Sequence, residues 1–180
     1  MSQDPIYQEY HDYEWGIPQY DDQKLFEAIM LDGFQAGLSW ITILRKRENF
    51  RMAFDNFDAI KIAAYDEAKL NDLLQDAGII RNKAKIEASV GNAKAYLEVQ
   101  KEFGTFSNYI WQFTNHKTIH NNPQGKGDYL SHSSESDAMS KDMKKRGFKF
   151  CGTTICYAFM QAVGMVNDHS ADCWVTGKQS

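Results

Sequence analysis

Three features are scarce in this sequence: cysteine, long apolar runs and an N-terminal leader pattern. The 180 residues include three cysteines, and a small, odd number argues against a disulfide framework and for a reducing compartment. No apolar run is long enough to cross a bilayer, and the acidic N-terminal segment is unlike a signal peptide. These absences predict a cytoplasmic protein without a membrane partner.

An excess of positive charge is also missing. The net charge of −4 argues mildly against a nucleic-acid partner. The charge is unevenly placed, because the first 40 residues carry eight acidic side chains and one lysine, which leaves the remainder with a net charge of +3. Basic residues cluster at 45–47, 81–85 and 144–146. Such clusters are usually solvated helix faces, and they form a phosphate-binding surface only if they converge in space.

Apolar residues recur at helical spacing over most of the chain. The pattern predicts helices at residues 24–31, 40–54, 59–64, 67–75, across Ile86 to Leu97, and at 106–114, 136–146 and 152–163. Residues 115–134 are predicted to form one long irregular connection, and residues 7–16 show no clear period. A chain of this length suits one core, so we predict a single domain over residues 1–180.

The stretch at residues 31–40 separates two predicted helices and resembles neither of them. Asp32 closes the first helix, two glycines loosen the backbone, and Leu38 precedes Ser39, the predicted N-cap of the next helix. A carboxylate, a tryptophan and an exposed apolar wedge therefore meet at one helix–helix corner. The alternative is an ordinary glycine-containing turn with Trp40 in the core.

Residues 76–86 form a second notable turn. Gly78 is predicted to end one helix, a short apolar turn follows, and basic residues begin the next helix. Backbone N–H groups at the start of that helix can bind a phosphate without reading sequence, and Lys83 and Lys85 add positive charge beside them. An ordinary helical hairpin with a glycine C-cap is the alternative. The adjacent basic residues favour DNA.

The two ends of the chain supply aromatic and metal-ligating residues. Four large aromatic side chains stand within residues 7–15, and they either pack down or line a pocket. In the tail, His169 and Cys173 are four residues apart, a spacing that suits two tetrahedral zinc ligands on one helical turn. The pair needs partners from elsewhere in the chain, and His11 is the obvious candidate.

Several ordered segments resemble the DNA-3-methyladenine glycosylase I family, a branch of the helix-hairpin-helix DNA glycosylases, over essentially the whole chain. The segments are Tyr-His-Asp-x-Glu-Trp-Gly at 10–16, Gln-Ala-Gly-Leu-Ser-Trp at 35–40, Ala-Gly-Ile-Ile-Arg-Asn at 77–82, Arg-Gly-Phe-Lys-Phe at 146–150, Gly-Thr-Thr-Ile-Cys-Tyr at 152–157 and Val-Asn-Asp-His at 166–169. The resemblance implies an all-α glycosylase-like domain. It also implies a monomeric enzyme that flips 3-methyladenine out of double-stranded alkylated DNA and hydrolyses its N-glycosidic bond.

The resemblance also implies roles for single residues. The pocket carboxylate matches Asp32, where the family has glutamate. Leu38, with Gly37 before it, matches the residue that fills the gap left by the flipped base. The pocket aromatics match Tyr7, Tyr10, Trp15 and Trp40. The turn that holds the DNA backbone matches Gly78, Ile79, Ile80 and Arg81, with Lys83 and Lys85 adding charge.

The implied chemistry needs no strong acid. Methylation at N3 gives the attached base a positive charge, which makes it a good leaving group, and electron-rich rings favour such a cation by about 0.5–2 kcal/mol. Many relatives in the wider superfamily carry an aspartate some way past the hairpin. Here no aspartate stands between Asp76 and Asp128. This absence fits the specialised branch and argues against a broad-range glycosylase.

The family binds a structural zinc through an N-terminal Cys-Gly-Trp segment and residues that match His11, His169 and Cys173. The present sequence opens on Met1-Ser2-Gln3 without that segment. We therefore expect the three residues to cluster, with zinc absent or partly occupied. Two other functions stay open. Because Asp32 is shorter than the family's glutamate, the protein could be a module that binds alkylated DNA without cutting it. The other is a helical scaffold with no DNA role.

Overall fold

Helices make up most of the computed structural model, which describes residues 4–170 and 172–175. The helices are α1 Pro5–Tyr13, α2 Asp22–Gln35, α3 Trp40–Ala53, α4 Ala59–Ala63, α5 Glu67–Gln75, α6 Lys83–Phe103, α7 Phe106–Trp111, α8 Ser134–Lys145 and α9 Thr153–Ala162. Two short parallel strands, β1 Ile119–His120 and β2 Val166–Asn167, pair Ile119 with Val166. The all-α prediction is confirmed. Within the described ranges, no helix combines the length and apolar character that a membrane span requires.

Side-chain caps begin several of these helices where the sequence predicted them. Asp58 accepts hydrogen bonds from the backbone of α4, and Asp66 accepts one from Lys69 N at 2.9 Å. Ser39 occupies the N-cap position of α3, but its hydroxyl lies 2.8 Å from Thr42 Oγ1 and caps no backbone N–H. The predicted start of α3 at Trp40 is therefore right, although the expected hydrogen bond from a backbone N–H to the Ser39 hydroxyl is absent.

Helix α1 was missed by the sequence interpretation. Asp4 caps it by accepting from Ile6 N at 3.0 Å, and Pro5 stands at the first helical position, a favoured place for proline. The Asp-Pro pair was therefore a readable start signal. The helical spacing of apolar residues is not visible in this segment, because Tyr10 is the only aromatic side chain of this helix that is buried, while Tyr13 is exposed.

Helix α2 extends past its predicted end at Leu31 to Gln35, so Asp32 lies inside the helix and not at its terminus. The expectation that Asp32 sits beside a loose glycine is therefore wrong. A Cβ on Gly33 would lie 3.5 Å from the Cβ of Phe150, so that face is already packed. The helix continues because the next residue, Phe34, is buried with its ring 4.8 Å from that of Phe50.

The hydrophobic core surrounds α2, which contacts α3, α6, α7 and α9. Eight of its residues are buried: Leu25, Phe26, Ile29, Met30, Leu31, Asp32, Gly33 and Phe34. Burial of each large apolar side chain contributes about 1.5–3 kcal/mol. The carboxyl group of Asp32 is consequently carried by a helix that is packed into the core.

The connection between α5 and α6, residues 76–82 (the α5–α6 turn), differs from the expected glycine C-cap. Asp76 is the C-cap residue of α5, and Gly78 has an ordinary backbone conformation. Gly78 N donates to Asp76 Oδ1 at 2.7 Å. A Cβ on Gly78 would come within 2.9 Å of Asp76 Oδ1 and 3.2 Å of the Asn49 side chain. A side chain at this position would therefore press on Asp76 and Asn49, the two residues that bond to Gly78.

Candidate active site

A cavity of about 250 Å³ opens between α1, α2, α3 and α9 (the base cavity). Its volume lies just below the range of pockets that hold drug-sized ligands, which suits one purine-sized molecule. The structure brings together in it all the residues predicted to contact the base: Tyr7, Tyr10, Trp15, Asp32 and Trp40. The other lining residues are His11, Gln35, Ala158, Gln161 and Ala162.

Two residues that line the base cavity each carry a buried polar atom without a partner among the described residues. Asp32 is 2% exposed, and its Oδ2 has no hydrogen-bond partner among the described residues; the same holds for Nε1 of the Trp40 indole. Leaving a buried donor or acceptor unpaired costs about 1–3 kcal/mol. Such a cost at a cavity wall is offset when a ligand supplies the missing groups. Asp32 offers an acceptor and Trp40 offers a donor.

Burial also governs the charge state of the cavity. Desolvation raises the pKa of Asp32 well above its usual range. The pKa of Tyr10 is raised as well, first by burial and then by the negative charge of Asp32. A cation in the cavity would favour the ionised carboxylate and lower the pKa of Asp32. The electrostatics therefore favour a positively charged ligand over a neutral one.

Aromatic rings form the walls of the cavity. The Tyr10 and Trp40 ring centroids lie 5.5 Å apart at an angle of 52°. Trp15 stacks on His11 at 5.9 Å and meets the edge of His169 at 4.6 Å. Rings of this kind can stack on a planar base and attract a cation through their faces.

The turn between α2 and α3, residues 36–39 (the α2–α3 turn), carries an exposed leucine. Leu38 is 40% exposed although it is apolar. Gly37 has a φ of +82°, a left-handed conformation that glycine adopts readily. Leu38 N donates to Gln35 O at 2.7 Å, and Gln35 Nε2 donates back to Leu38 O at 3.3 Å. Gln35 and Trp40 line the cavity, so the leucine lies between two of its lining residues along the chain.

The α5–α6 turn presents the start of α6 to solvent. Ile79 is buried and anchors the turn, whereas Arg81 and Lys83 are exposed. Asn82 caps α6 by accepting from Lys85 N at 3.2 Å. The exposed N-terminal end of a long helix, flanked by two cationic side chains, is a place where a phosphate can bind.

Behind the cavity wall, His11, His169 and Cys173 bring their ligand atoms within 4.8 Å of one another. His11 Nε2 lies 3.8 Å from Cys173 Sγ, and His169 Nε2 is buried without a partner among the described residues. The Nδ1 atoms are held from behind, by Asp12 Oδ1 at 2.8 Å for His11 and by Asn167 Oδ1 at 2.9 Å for His169. Because both Nδ1 atoms are engaged, the two Nε2 atoms and Cys173 Sγ are the atoms that could hold a shared ion, a donor set that fits zinc.

Comparison with known proteins agrees with this geometry. The model of the methyladenine glycosylase family matches residues 1–176. The chain belongs to this family. DNA-3-methyladenine glycosylase 1 of Escherichia coli (strain K12) is 53% identical over 173 residues, which cover 96% of this chain and 92% of that protein.

Solved structures of the family also share the fold. The crystal structure of 3-methyladenine DNA glycosylase I (TAG) matches with a TM-score of 0.94 at 50% identity, covering 96% of this chain and 95% of that one. The enzyme from Staphylococcus aureus, solved to explain its recognition of 3-methyladenine, matches with a TM-score of 0.94 at 34% identity. That match covers 97% of this chain and 93% of the other.

Two residues that we expected to contact DNA are buried in this methyladenine glycosylase: Ile79, whose side chain anchors the α5–α6 turn, and Lys85. Lys85 is 7% exposed, and its Nζ donates to Phe34 O and Ala36 O, both at 2.8 Å. Burial lowers its pKa. The prediction that Lys85 adds charge beside a phosphate is therefore wrong, because sequence spacing cannot tell an outward lysine from one turned back onto the protein.

The basic cluster at 45–47 is likewise used within the protein. Arg45 donates to Asp4 at 2.5 Å, and Arg47 forms a two-bond ion pair with Glu14 at 2.6 and 2.8 Å. Lys46 donates to backbone carbonyls of the α5–α6 turn. This cluster therefore organises the fold and is no free phosphate-binding surface.

Sequence reasoning missed the face of α9 that closes the cavity. Ala158, Gln161 and Ala162 occupy positions i, i+3 and i+4, so they share one side of that helix. Gln161 Nε2 donates to Asp168 Oδ2 at 2.7 Å, which fixes its amide. The spacing was readable, but small residues on one helix face predict close helix packing equally well.

Proposed function

We propose that this methyladenine glycosylase releases 3-methyladenine from alkylated double-stranded DNA by hydrolysing its N-glycosidic bond, with the flipped base held in the base cavity. The observation that carries the proposal is the unpaired acceptor of Asp32 and the unpaired donor of Trp40 in one aromatic cavity. The relative from Escherichia coli is named for this activity. We further propose that the protein acts in the cytoplasm as a monomer.

The base of 3-methyladenine matches the cavity in charge and in hydrogen bonding. Its exocyclic amine donates, as Asp32 requires, and its ring nitrogens accept, as the Trp40 indole requires. The positive charge at N3 while the base is attached to the sugar suits the faces of Tyr10 and Trp40. Guanine carries a carbonyl where adenine carries the amine, so it would set two acceptors against each other at Asp32.

The reaction needs little acid catalysis. Water forms a bond to C1′ of the sugar while the bond from C1′ to the base nitrogen breaks, and the electron pair of that bond neutralises the charged base. The base leaves as a neutral molecule, and the attacking water loses its proton to solvent. Asp32 recognises the base and stabilises its charge, and we assign no proton transfer to it.

Access to the damaged base requires that it leave the duplex, at a cost of a few kcal/mol. We assign Leu38 to fill the gap that the base leaves, because this exposed apolar side chain stands on the turn between two residues that line the cavity, Gln35 and Trp40. The α5–α6 turn, with Arg81 and Lys83, is proposed to hold the DNA backbone as the hairpin of a helix-hairpin-helix motif. Its contacts would be to phosphate and would not read sequence.

We also propose that His11, His169 and Cys173 hold a structural zinc, with a fourth ligand from outside this set. The support is the buried, unpartnered Nε2 of His169 and the fixed Nδ1 atoms of both histidines. When bound, zinc would link α1 to residues 169 and 173 through its ligand bonds. Because Trp15 packs on both histidines, these residues would hold one wall of the base cavity in place.

The decisive experiment measures the bases released from duplex DNA treated with a methylating agent. Chromatography of the supernatant should show 3-methyladenine after incubation with the parent protein and much less after incubation with Asp32→Asn. Binding of alkylated DNA without release would mean that the protein is a recognition module of the same fold. No salt-dependent binding to any duplex would leave only a helical scaffold.

A further inference from the structure

Two lysine side chains connect, through hydrogen bonds, the two turns that are proposed to contact DNA. Lys85, in the first turn of α6, donates its ammonium hydrogens to Phe34 O and Ala36 O, both at 2.8 Å. These carbonyls lie at the C-terminal end of α2, four and two residues before Leu38. A residue that follows the α5–α6 turn therefore holds the start of the α2–α3 turn.

The second lysine runs in the opposite direction. Lys46, in the second turn of α3 after Leu38, donates to Ala77 O at 3.0 Å and to Gly78 O at 3.2 Å. Asn49, one turn further along α3, also donates to Gly78 O at 3.2 Å. The helix that follows the leucine turn therefore holds the carbonyls of the α5–α6 turn.

The chemistry of these contacts makes them firm. The last carbonyls of a helix have no partner within it and lie at the negative end of its dipole, so they attract a cation. A buried ammonium is costly unless its hydrogens are accepted, and Lys85 at 7% exposure gives two of them to carbonyls of one helix end. Moving that helix end away from α6 would leave both the charge and the carbonyls unsatisfied.

We propose that Lys46 and Lys85 form a reciprocal clamp that fixes the distance between the α2–α3 turn and the α5–α6 turn. With that distance fixed, Leu38 enters the duplex at the nucleotide whose backbone the α5–α6 turn holds. Both lysines are positioning residues, since neither touches the base. This inference rests on the proposed function, because it concerns the coupling of backbone binding to base flipping.

Lys85→Met tests the clamp, because methionine keeps an apolar stem and removes the ammonium. We expect single-turnover excision from methylated duplex to slow by roughly tenfold, the effect of losing a charge-assisted hydrogen bond. Binding of free 3-methyladenine should be unchanged, because the base cavity is intact. The salt dependence of binding to undamaged duplex should also be unchanged, since Lys85 contacts no phosphate.

Lys83→Met is the matched control, because Lys83 stands two residues earlier on α6 and its side chain is 74% exposed. We expect it to lower the slope of log affinity against log salt by about 0.9, as for one lost phosphate contact. The pair therefore separates a positioning lysine from a phosphate-binding one.

The inference is overturned if Lys85→Met excises as fast as an active parent, or if it lowers the salt slope as Lys83→Met does. Should Lys85→Met fail to fold, Lys46→Met carries the same test, because Lys46 is half-buried and lies outside the core. Its excision should slow in the same way, and a rate equal to that of the parent would equally overturn the clamp. An inactive parent would refute the proposed function instead, and the two failures are thus distinguishable.

Discussion

The base cavity and the α5–α6 turn treat their polar groups in opposite ways. In the cavity, Asp32 Oδ2 and Trp40 Nε1 are buried without partners among the described residues. In the turn, Gly78 N is bound by Asp76 and Gly78 O accepts from both Lys46 and Asn49. A ligand would therefore supply the hydrogen-bond partners that the two cavity atoms lack, whereas the N–H and C=O of Gly78 already have partners within the protein. In the proposed function, selectivity belongs to the first region and backbone affinity to the second.

The largest effect is expected at Asp32. Asp32→Asn keeps the shape of the side chain but removes its charge and one acceptor, so excision should slow by roughly 10- to 100-fold, the worth of a charged hydrogen bond. Affinity for undamaged duplex should be nearly unchanged. Single-turnover kinetics and a duplex-binding assay would check both.

Asp32→Glu is the matched control, because it restores the family's longer carboxylate. Aspartate is shorter by one methylene, on the order of 1.5 Å of reach, so this variant should be as active as the parent or more active. If Asp32→Asn excised as well as the parent, Asp32 would not be the pocket carboxylate.

A smaller effect is expected at Leu38. Leu38→Ala removes the exposed side chain that is proposed to fill the gap, and excision from duplex should slow by roughly tenfold because the flipped state loses support. Excision from a single-stranded substrate should be affected much less, since no stack must be opened. Equal loss on both substrates would contradict the role of a wedge.

Gly78→Val tests the other region. A Cβ at this position would come within 2.9 Å of Asp76 Oδ1 and 3.2 Å of Asn49, so the larger valine side chain should displace these two side chains, which hold the α5–α6 turn. Binding to damaged and undamaged duplex should weaken equally, by severalfold, because phosphate contacts do not read bases. A variant that lost only its discrimination between the two duplexes would break the proposed division of labour.

Metal binding can be followed without an activity assay. Cobalt(II) added to the metal-stripped protein should give a thiolate-to-cobalt absorption band that disappears in Cys173→Ser. Cys151→Ala is the control, because Cys151 is buried in the core away from the cluster, and the band should persist in it. A band that survives Cys173→Ser would exclude this cysteine as a ligand.

The smallest effect concerns pH. Burial raises the folded-state pKa of Asp32, whereas the unfolded value is about 3.9. The folded protein therefore holds this proton more tightly. The resulting stabilisation is complete below the unfolded pKa and is lost as pH rises through the folded pKa. The unfolding temperature of the parent, relative to Asp32→Asn, should fall as pH is raised from about 4. A constant difference would contradict a raised pKa.

Sequence reasoning located the cavity better than it located the basic surface, for a physical reason. The cavity residues that the sequence predicted are large aromatics and one acid. Side chains of these types have few structural roles, and lining a pocket is one of them. A lysine is long and flexible, and Lys46 and Lys85 turn back onto backbone carbonyls that no sequence pattern displays. Asp32 also lies inside α2 because buried Phe34 continues the helix, an effect of tertiary packing that local capping signals do not report.

The central claim is that the two unpaired atoms of the cavity read the base, and calorimetric titration with free 3-methyladenine tests it directly. Asp32→Asn and Trp40→Phe each remove one of those groups while keeping the size or the ring of the side chain. Each should weaken binding by roughly tenfold relative to the parent. Tyr13→Phe, a change at an exposed ring outside the base cavity, should leave it unchanged. Equal affinity for the base in all four proteins would contradict the account.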